Sequence, residues 1–164
     1  MKYFIGADDF GWNANLNEAI DMALCKGWVQ RASLMVNAYG FSEAVRLAKE
    51  HGYADRISFH LNLAEETPLT EEIKRTVFTY NADKGKFCRM SNKGMQVRCM
   101  SHAVVKAIRT ESEAQMRRFR DSGFTSTRID SHRWCMFNLP VWHAIEPLLK
   151  QYGFTTPRAR RRVT

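Results

Sequence analysis

Tyr3-Phe4-Ile5-Gly6-Ala7-Asp8-Asp9-Phe10-Gly11 is the stretch on which the reading of the fold turns. An apolar run with the length of a buried strand ends in two adjacent carboxylates, and an aromatic and a glycine then turn the chain away. In a parallel α/β protein the carboxyl end of a strand faces the ligand crevice, and side chains there are held by the sheet beneath them. Two neighbouring carboxylates repel unless a cation or a shared proton separates their roles, so Asp8-Asp9 suggests one metal ligand and one base. Asp and Gly are also ordinary turn formers, and the plain alternative is a turn whose acids face water.

Outward from this strand the chain alternates. Asn13 or Asn15 can cap a helix whose Leu16, Ala19, Ile20, Ala23 and Leu24 share one face, with Gly27 as its stop. Residues 31–36 read as a second strand, and Phe41, Ala44, Val45, Leu47 and Ala48 as a second amphipathic helix ending near Gly52. A third strand over 57–63 carries His60 towards its carboxyl end. From about 64 to 100 the chain is polar and basic, with hairpin chemistry where 78–80 and 86–87 flank a turn. Such an excursion is where a substrate-covering lid is found, and equally where a surface insertion without a role is found. A long helix over about 101–122 follows, with Val105, Ile108, Met116 and Phe119 inward and Glu113 with Arg117 outward. A short strand over 127–130 delivers Ser131-His132, and Asn138 with Pro140 opens a helix that Gly153 stops. The alternation predicts an α/β fold with a parallel sheet or barrel and right-handed crossovers, in one domain over 1–164 without a linker.

The bulk numbers bound the function. No apolar run approaches the roughly 20 residues of a spanning helix, and no signal-peptide core opens the sequence, so a cytoplasmic protein without membrane contact is expected. Cys25, Cys88, Cys99 and Cys135 show no CxxC spacing and read as free thiols rather than a zinc ribbon or a disulfide framework. The formal net charge is +8, concentrated in Arg158, Arg160, Arg161 and Arg162 and in Lys84, Lys86, Arg89, Lys93 and Arg98. Neither group interleaves aromatics as nucleic-acid motifs do, so the charge reads as solvated surface and no specific nucleic acid is expected as a partner.

Three strand ends now carry ligand-type residues: Asp8-Asp9, His60 and Asp130-Ser131-His132. In a parallel sheet those ends converge on one face, and two histidines with one carboxylate form a set that leaves positions open for water and substrate. A histidine in a strand is otherwise an ordinary packed or hydrogen-bonded residue.

The motifs Ala7-Asp8-Asp9-Phe10-Gly11, Ala32-Ser33-Leu34-Met35-Val36-Asn37, Phe59-His60-Leu61-Asn62-Leu63 and Ile129-Asp130-Ser131-His132 resemble, in order, those of the YdjC-like carbohydrate deacetylases, related to polysaccharide deacetylases. The likeness runs from residue 1 to about residue 158. It implies a parallel (β/α) barrel of the deacetylase type, incomplete or shortened at the C-terminus, that removes acetyl groups from an N-acetylated sugar such as a chitooligosaccharide. It also implies that Asp9, His60 and His132 hold a divalent metal, Mg2+ or Zn2+, and that Asp8 is the general base. Asp130 would orient a ligand or contact the sugar, or else simply cap the strand end, and Arg158 would pair with Asp8. Trp134 and Met136 stand where many members carry further histidines. Trp134 then reads either as a sugar-stacking platform or as a core tryptophan. Members of the family are usually longer, and four recognisable strands do not close a barrel of about eight, so an unpaired edge, a homo-oligomer or a poorly soluble chain, and weak or absent turnover for want of a downstream acid are expected. Two other readings are a non-catalytic carbohydrate- or metal-binding remnant and a basic nucleic-acid-binding protein, whose binding salt would abolish.

Overall fold

The computed structural model describes residues 4–76, 80–87 and 101–155. Its frame is a parallel sheet in the order β1 (Gly6–Phe10), β2 (Arg31–Leu34), β3 (Ile57–Leu61) and β6 (Ile129–Ser131). The four strands foreseen in the sequence are all present and all parallel, each a residue or two shorter or displaced at its ends. Among the described residues they form an open sheet. Beyond β6 the chain returns in parallel, where Thr155 bridges Arg128 and its N–H donates to the carbonyl of Thr127 at 2.6 Å.

Helices α1 (Ala14–Cys25) and α2 (Phe41–Glu50) make the first two crossovers. Asn13 is the cap of α1, its side chain accepting from the N–H of Leu16. Between β3 and β6 lie a single turn α3 (Glu71–Lys74), the hairpin β4 (Tyr80–Asn81) and β5 (Lys86–Phe87), and the long α4 (His102–Asp121). The hairpin is the one foreseen; residues 77–79 and 88–100 of the expected lid lie outside the described residues, as does Arg158. Ser101 caps α4 through the N–H of Val104. Helix α5 (Leu139–Gln151) begins with Pro140 in its first turn, where a missing N–H costs nothing.

The two faces of β3 show how the sheet separates packing from chemistry. Phe59 packs in tilted contacts against Phe119 at 5.5 Å and Phe154 at 5.4 Å on the helix side. Ser58 and His60 alternate with it and face the other way. Helix α4 buries Ile108, Met116 and Phe119 as foreseen, and Glu111, Ser112 and Gln115, which the sequence reading did not name, are buried with them. Gln115 donates to the carbonyl of Asn62 and accepts from its N–H. The carboxylate of Glu111 accepts from the N–H groups of Leu69 and Thr70 and from the Thr70 hydroxyl. The loop leaving β3 is therefore fastened to α4 by polar contacts, a pairing between distant segments that helical periodicity does not reveal. No helix among the described residues is long and apolar enough to cross a membrane.

Candidate active site

Asp9 reaches the site through an irregularity in β1. Ala7 pairs with Ala32 and Phe10 with Leu34, so β1 spends one residue more than β2 over the same interval. Asp9 takes φ 65, in the left-handed region where Asp is among the few residues tolerated. In a regular strand adjacent side chains point to opposite faces, but across this bulge both Asp8 and Asp9 come within reach of His60. The two acids lie within the strand's last residues, and β1 ends one residue beyond them at Phe10, which is fully buried. Gly11 follows at φ 92, and a Cβ there would lie 2.8 Å from the carbonyl oxygen of Met35. Buried Asn17 holds this turn, accepting from the N–H of Gly11 at 2.7 Å and donating to the carbonyl of Gly40 and to Glu43.

His60 and His132 approach the same oxygen of Asp9. His60 Nε2 lies 3.1 Å from Asp9 Oδ1 and His132 Nδ1 lies 2.7 Å from it. Both histidines are buried, while the Asp9 side chain keeps 30% exposure. The remaining ring nitrogen of each histidine meets a further carboxylate, His60 Nδ1 that of Asp130 and His132 Nε2 that of Glu65 at 3.1 Å. Asp130 is paired in register with His60 across β3 and β6. Asp8 lies beside the pair, exposed, with its Oδ1 accepting from the Ser33 hydroxyl at 2.9 Å.

Electrostatics follows from this interleaving of acids and imidazoles. Burial opposes ionisation of Asp9, but hydrogen bonds and charge from His132 and His60 outweigh it and hold the carboxyl well below its ordinary value. Burial likewise disfavours a charged His60, and Asp130 and Asp9 outweigh that, raising its pKa to about 9.

The donor set suits a cation. The ligand atoms of Asp9, His60 and His132 lie within 4.8 Å of one another, and so do those of Asp8, His60 and Asp130. Imidazoles whose far nitrogen rests on a carboxylate are the usual arrangement of metal-binding histidines, because the outer acid fixes ring orientation and tautomer. Of the residues named from the sequence, Asp8, Asp9, His60, Asp130 and His132 come together. Trp134 is not a core residue: it is 69% exposed, with its ring 5.5 Å from Phe137. It is held outward by a left-handed pair, Arg133 at φ 53 and Trp134 at φ 59.

Glu65 is absent from the sequence reading. Its carboxylate takes His132 on one oxygen and accepts from Arg133 on the other at 3.1 Å. Asn62 places it, through a side-chain oxygen that accepts from the N–H groups of Ala64 and Glu65. An Asn two residues after a strand histidine, with an acid three further on, is the signal that could have found it.

An open cleft of ≈ 520 Å³ adjoins the site, lined by Trp12, Asn13, Asn37, Tyr39, Thr67 and Lys86 among others. Trp12 joins the two, its ring 5.2 Å from that of His132 in an edge-on contact. Tyr39 is 92% exposed.

Among curated relatives, a carbohydrate deacetylase of Brevibacillus brevis is 36% identical over 152 residues, covering 93% of this chain and 57% of the relative. One of Geobacillus stearothermophilus is 32% identical, covering 90% of this chain and 56% of the relative. The chain thus spans little more than half the length of these relatives. A solved structure from Enterococcus faecalis V583, described as a candidate cellobiose-phosphate cleavage protein, superposes with a TM-score of 0.75 at 23% identity over 98% of this chain and 59% of its own, a likeness of fold. The model of the YdjC-like protein family matches residues 2–164, and the chain belongs to that family.

Proposed function

We propose that this chain supplies the metal-binding part of a carbohydrate deacetylase site, in which an N-acetylated sugar or chitooligosaccharide is hydrolysed to acetate and a free amine. The observation that carries the reading is the convergence of Asp9, His60 and His132, each histidine backed by its own carboxylate. Relatives named carbohydrate deacetylases support the substrate class. We read the open sheet as part of a (β/α) barrel, supported by the isolated parallel bridge between Arg128 and Thr155 beside β6.

Asp9, His60 and His132 would hold the ion. A Lewis acid there, Zn2+ or Mg2+, would polarise the amide carbonyl and lower the pKa of the attacking water. Two imidazoles and one carboxylate favour Zn2+ over Mg2+, which prefers oxygen ligands. Asp8, kept in place by Ser33 and open to solvent, takes the proton from the attacking water. Asp130 and Glu65 orient the two rings. The sugar lies in the cleft beside Trp12 and Tyr39, whose aromatic faces suit the apolar side of a pyranose, with Asn13, Asn37 and Lys86 placed for its hydroxyl groups.

Metal analysis of the purified protein, together with acetate release from N-acetylglucosamine oligomers before and after chelation, tests the proposal. Metal-dependent release is expected. Oligomers that bind without any acetate appearing, whichever ion is supplied, would leave a carbohydrate-binding protein and overturn the catalytic reading.

A further inference from the structure

A second cluster of ligand-type side chains joins α1 to α2, at the end of the sheet away from the strand ends just described. Asp21 and Cys25 stand one helical turn apart on α1 and so share a face. His51 is the C-cap of α2, its backbone N–H fixed on the carbonyls of Leu47 and Lys49. All three side chains meet at one oxygen: Asp21 Oδ1 lies 2.6 Å from His51 Nδ1 and 3.8 Å from Cys25 Sγ. The same oxygen accepts from the Tyr53 hydroxyl at 2.6 Å.

Hydrogen bonding explains part of this cluster. Tyr53 and His51 on a helix carboxylate make a clasp between the ends of two helices, and such a clasp has no need of a thiol. With the thiol included, the three residues offer one sulfur, one nitrogen and one oxygen within 4.8 Å of one another. Around a tetrahedral Zn2+, with bonds of about 2.0 to 2.3 Å, neighbouring ligand atoms are roughly 3.3–3.5 Å apart. The Cys25–Asp21 separation is already near that value, and the His51–Asp21 separation need open by less than an ångström. Tyr53 would remain as the outer donor that orients the Asp21 carboxylate. Cys25 is exposed and the His51 side chain is 42% exposed, so an ion has an entry path and a position open to water.

We propose that Asp21, Cys25 and His51 form a second metal site, separate from that of Asp9, which takes a borderline-soft divalent cation of the zinc type and clasps the C-terminal ends of α1 and α2. A sulfur–nitrogen–oxygen set selects Zn2+, Co2+ or Cd2+ over Mg2+ or Ca2+. The proposal does not rest on the deacetylase reading, because its ligands are distinct from those of that site.

Co2+ titration of the full chain tests it, because only a thiolate ligand gives a sulfur-to-cobalt charge-transfer band in the near ultraviolet. The band is expected in the unaltered protein and in His132→Ala, and its loss is expected in Cys25→Ser and in His51→Gln, both exposed positions whose substitution leaves the Tyr53–Asp21 hydrogen bond in place. Peptide-resolved alkylation adds an independent measurement: Zn2+ should slow modification of Cys25 by tenfold or more. A cobalt band that survives Cys25→Ser, no band at all, or alkylation of Cys25 at the same rate with and without Zn2+ would each overturn the proposal.

Discussion

β3 brings His60 to the site on regular backbone, in register residue for residue with β2 and β6, whereas β1 brings Asp9 there on a bulge with φ 65. On β3 the position of the histidine follows from alternation, since Phe59 must face the helices and its neighbour must therefore face away. On β1 alternation would send one of the two carboxylates to the wrong face. The extra residue prevents that, at a cost on the order of 1–3 kcal/mol of backbone strain for a residue held left-handed. Gly11 against Met35 and the buried Asn17 hold the distortion in place. One strand thus presents a proposed ligand as a by-product of core packing, and the other uses packing elsewhere to support a proposed ligand on distorted backbone.

The largest effect should come from the shared oxygen. Asp9→Ala and His132→Ala are each expected to reduce bound metal from one equivalent to near none, counted on a Cys25→Ser background so that only this site contributes. Full retention of metal in either variant would show that the Asp8, His60 and Asp130 group holds the ion instead. Asp8→Asn sharpens the contrast across the bulge: metal is retained and acetate release falls by a factor on the order of 100 to 10,000, as for loss of a positioned base. Metal loss in Asp8→Asn equal to that in Asp9→Ala would merge the two roles.

The regular strand fails differently. Phe59→Ala should cost about 3–5 kcal/mol in denaturant unfolding, through the cavity left among Phe119 and Phe154. Metal affinity of the fraction that remains folded should change little, because the ring faces away from His60. A large change in that affinity would mean the two faces of β3 are coupled.

The same contrast decides what could be read from the sequence. Four strands, the helices α1, α2, α4 and α5, and the hairpin at Tyr80 to Phe87 follow from periodicity, caps and glycines, all of them local. His60 and Asp130 follow from strand position, and the choice of Asp9 over Asp8 came from family resemblance alone. The bulge depends on Gly11, Asn17 and Gly40, which come from three separate segments, and no window of sequence contains them together. The Glu111–Gln115 struts escaped for a related reason: polar residues on a helix face read as solvated until the loop they hold is known. Glu65, in the loop after β3, shows its place only through its contact with distant His132. Trp134 shows that size and hydrophobicity do not fix burial where the backbone is left-handed.

Outer carboxylates should matter less than the ligands they support. Asp130→Asn and Glu65→Gln keep shape and remove charge, and each is expected to weaken metal binding about 10–100-fold, read by competition with a chelating dye. Equal weakening is expected if both rings depend on their outer acid. An effect of Asp130→Asn alone would mean that Glu65 chiefly serves Arg133.

The smallest effect, and the one that joins both strands, is on pH. His60 has its pKa raised from 6.5 to about 9 because Asp130 and Asp9 outweigh the burial that would lower it. A raised value means that the folded protein binds the proton more tightly than the unfolded chain. The stabilisation is then complete below about 6.5 and is lost as pH rises through about 9. For Asp9 the sign is reversed: its stabilisation is present above the ordinary 3.8 and is lost as pH falls through the depressed value. Metal-free protein should therefore melt at a temperature that falls gradually between pH 6.5 and about 9. A metal held by His60 would have to displace that proton, so its apparent affinity should rise with pH over that interval. The difference in melting temperature between the metal-bound and metal-free forms should accordingly widen with pH, and Asp130→Asn, which removes one source of the raised value, should narrow it. A metal-free melting temperature that stays flat across the interval would show that His60 is not held charged by its two carboxylates.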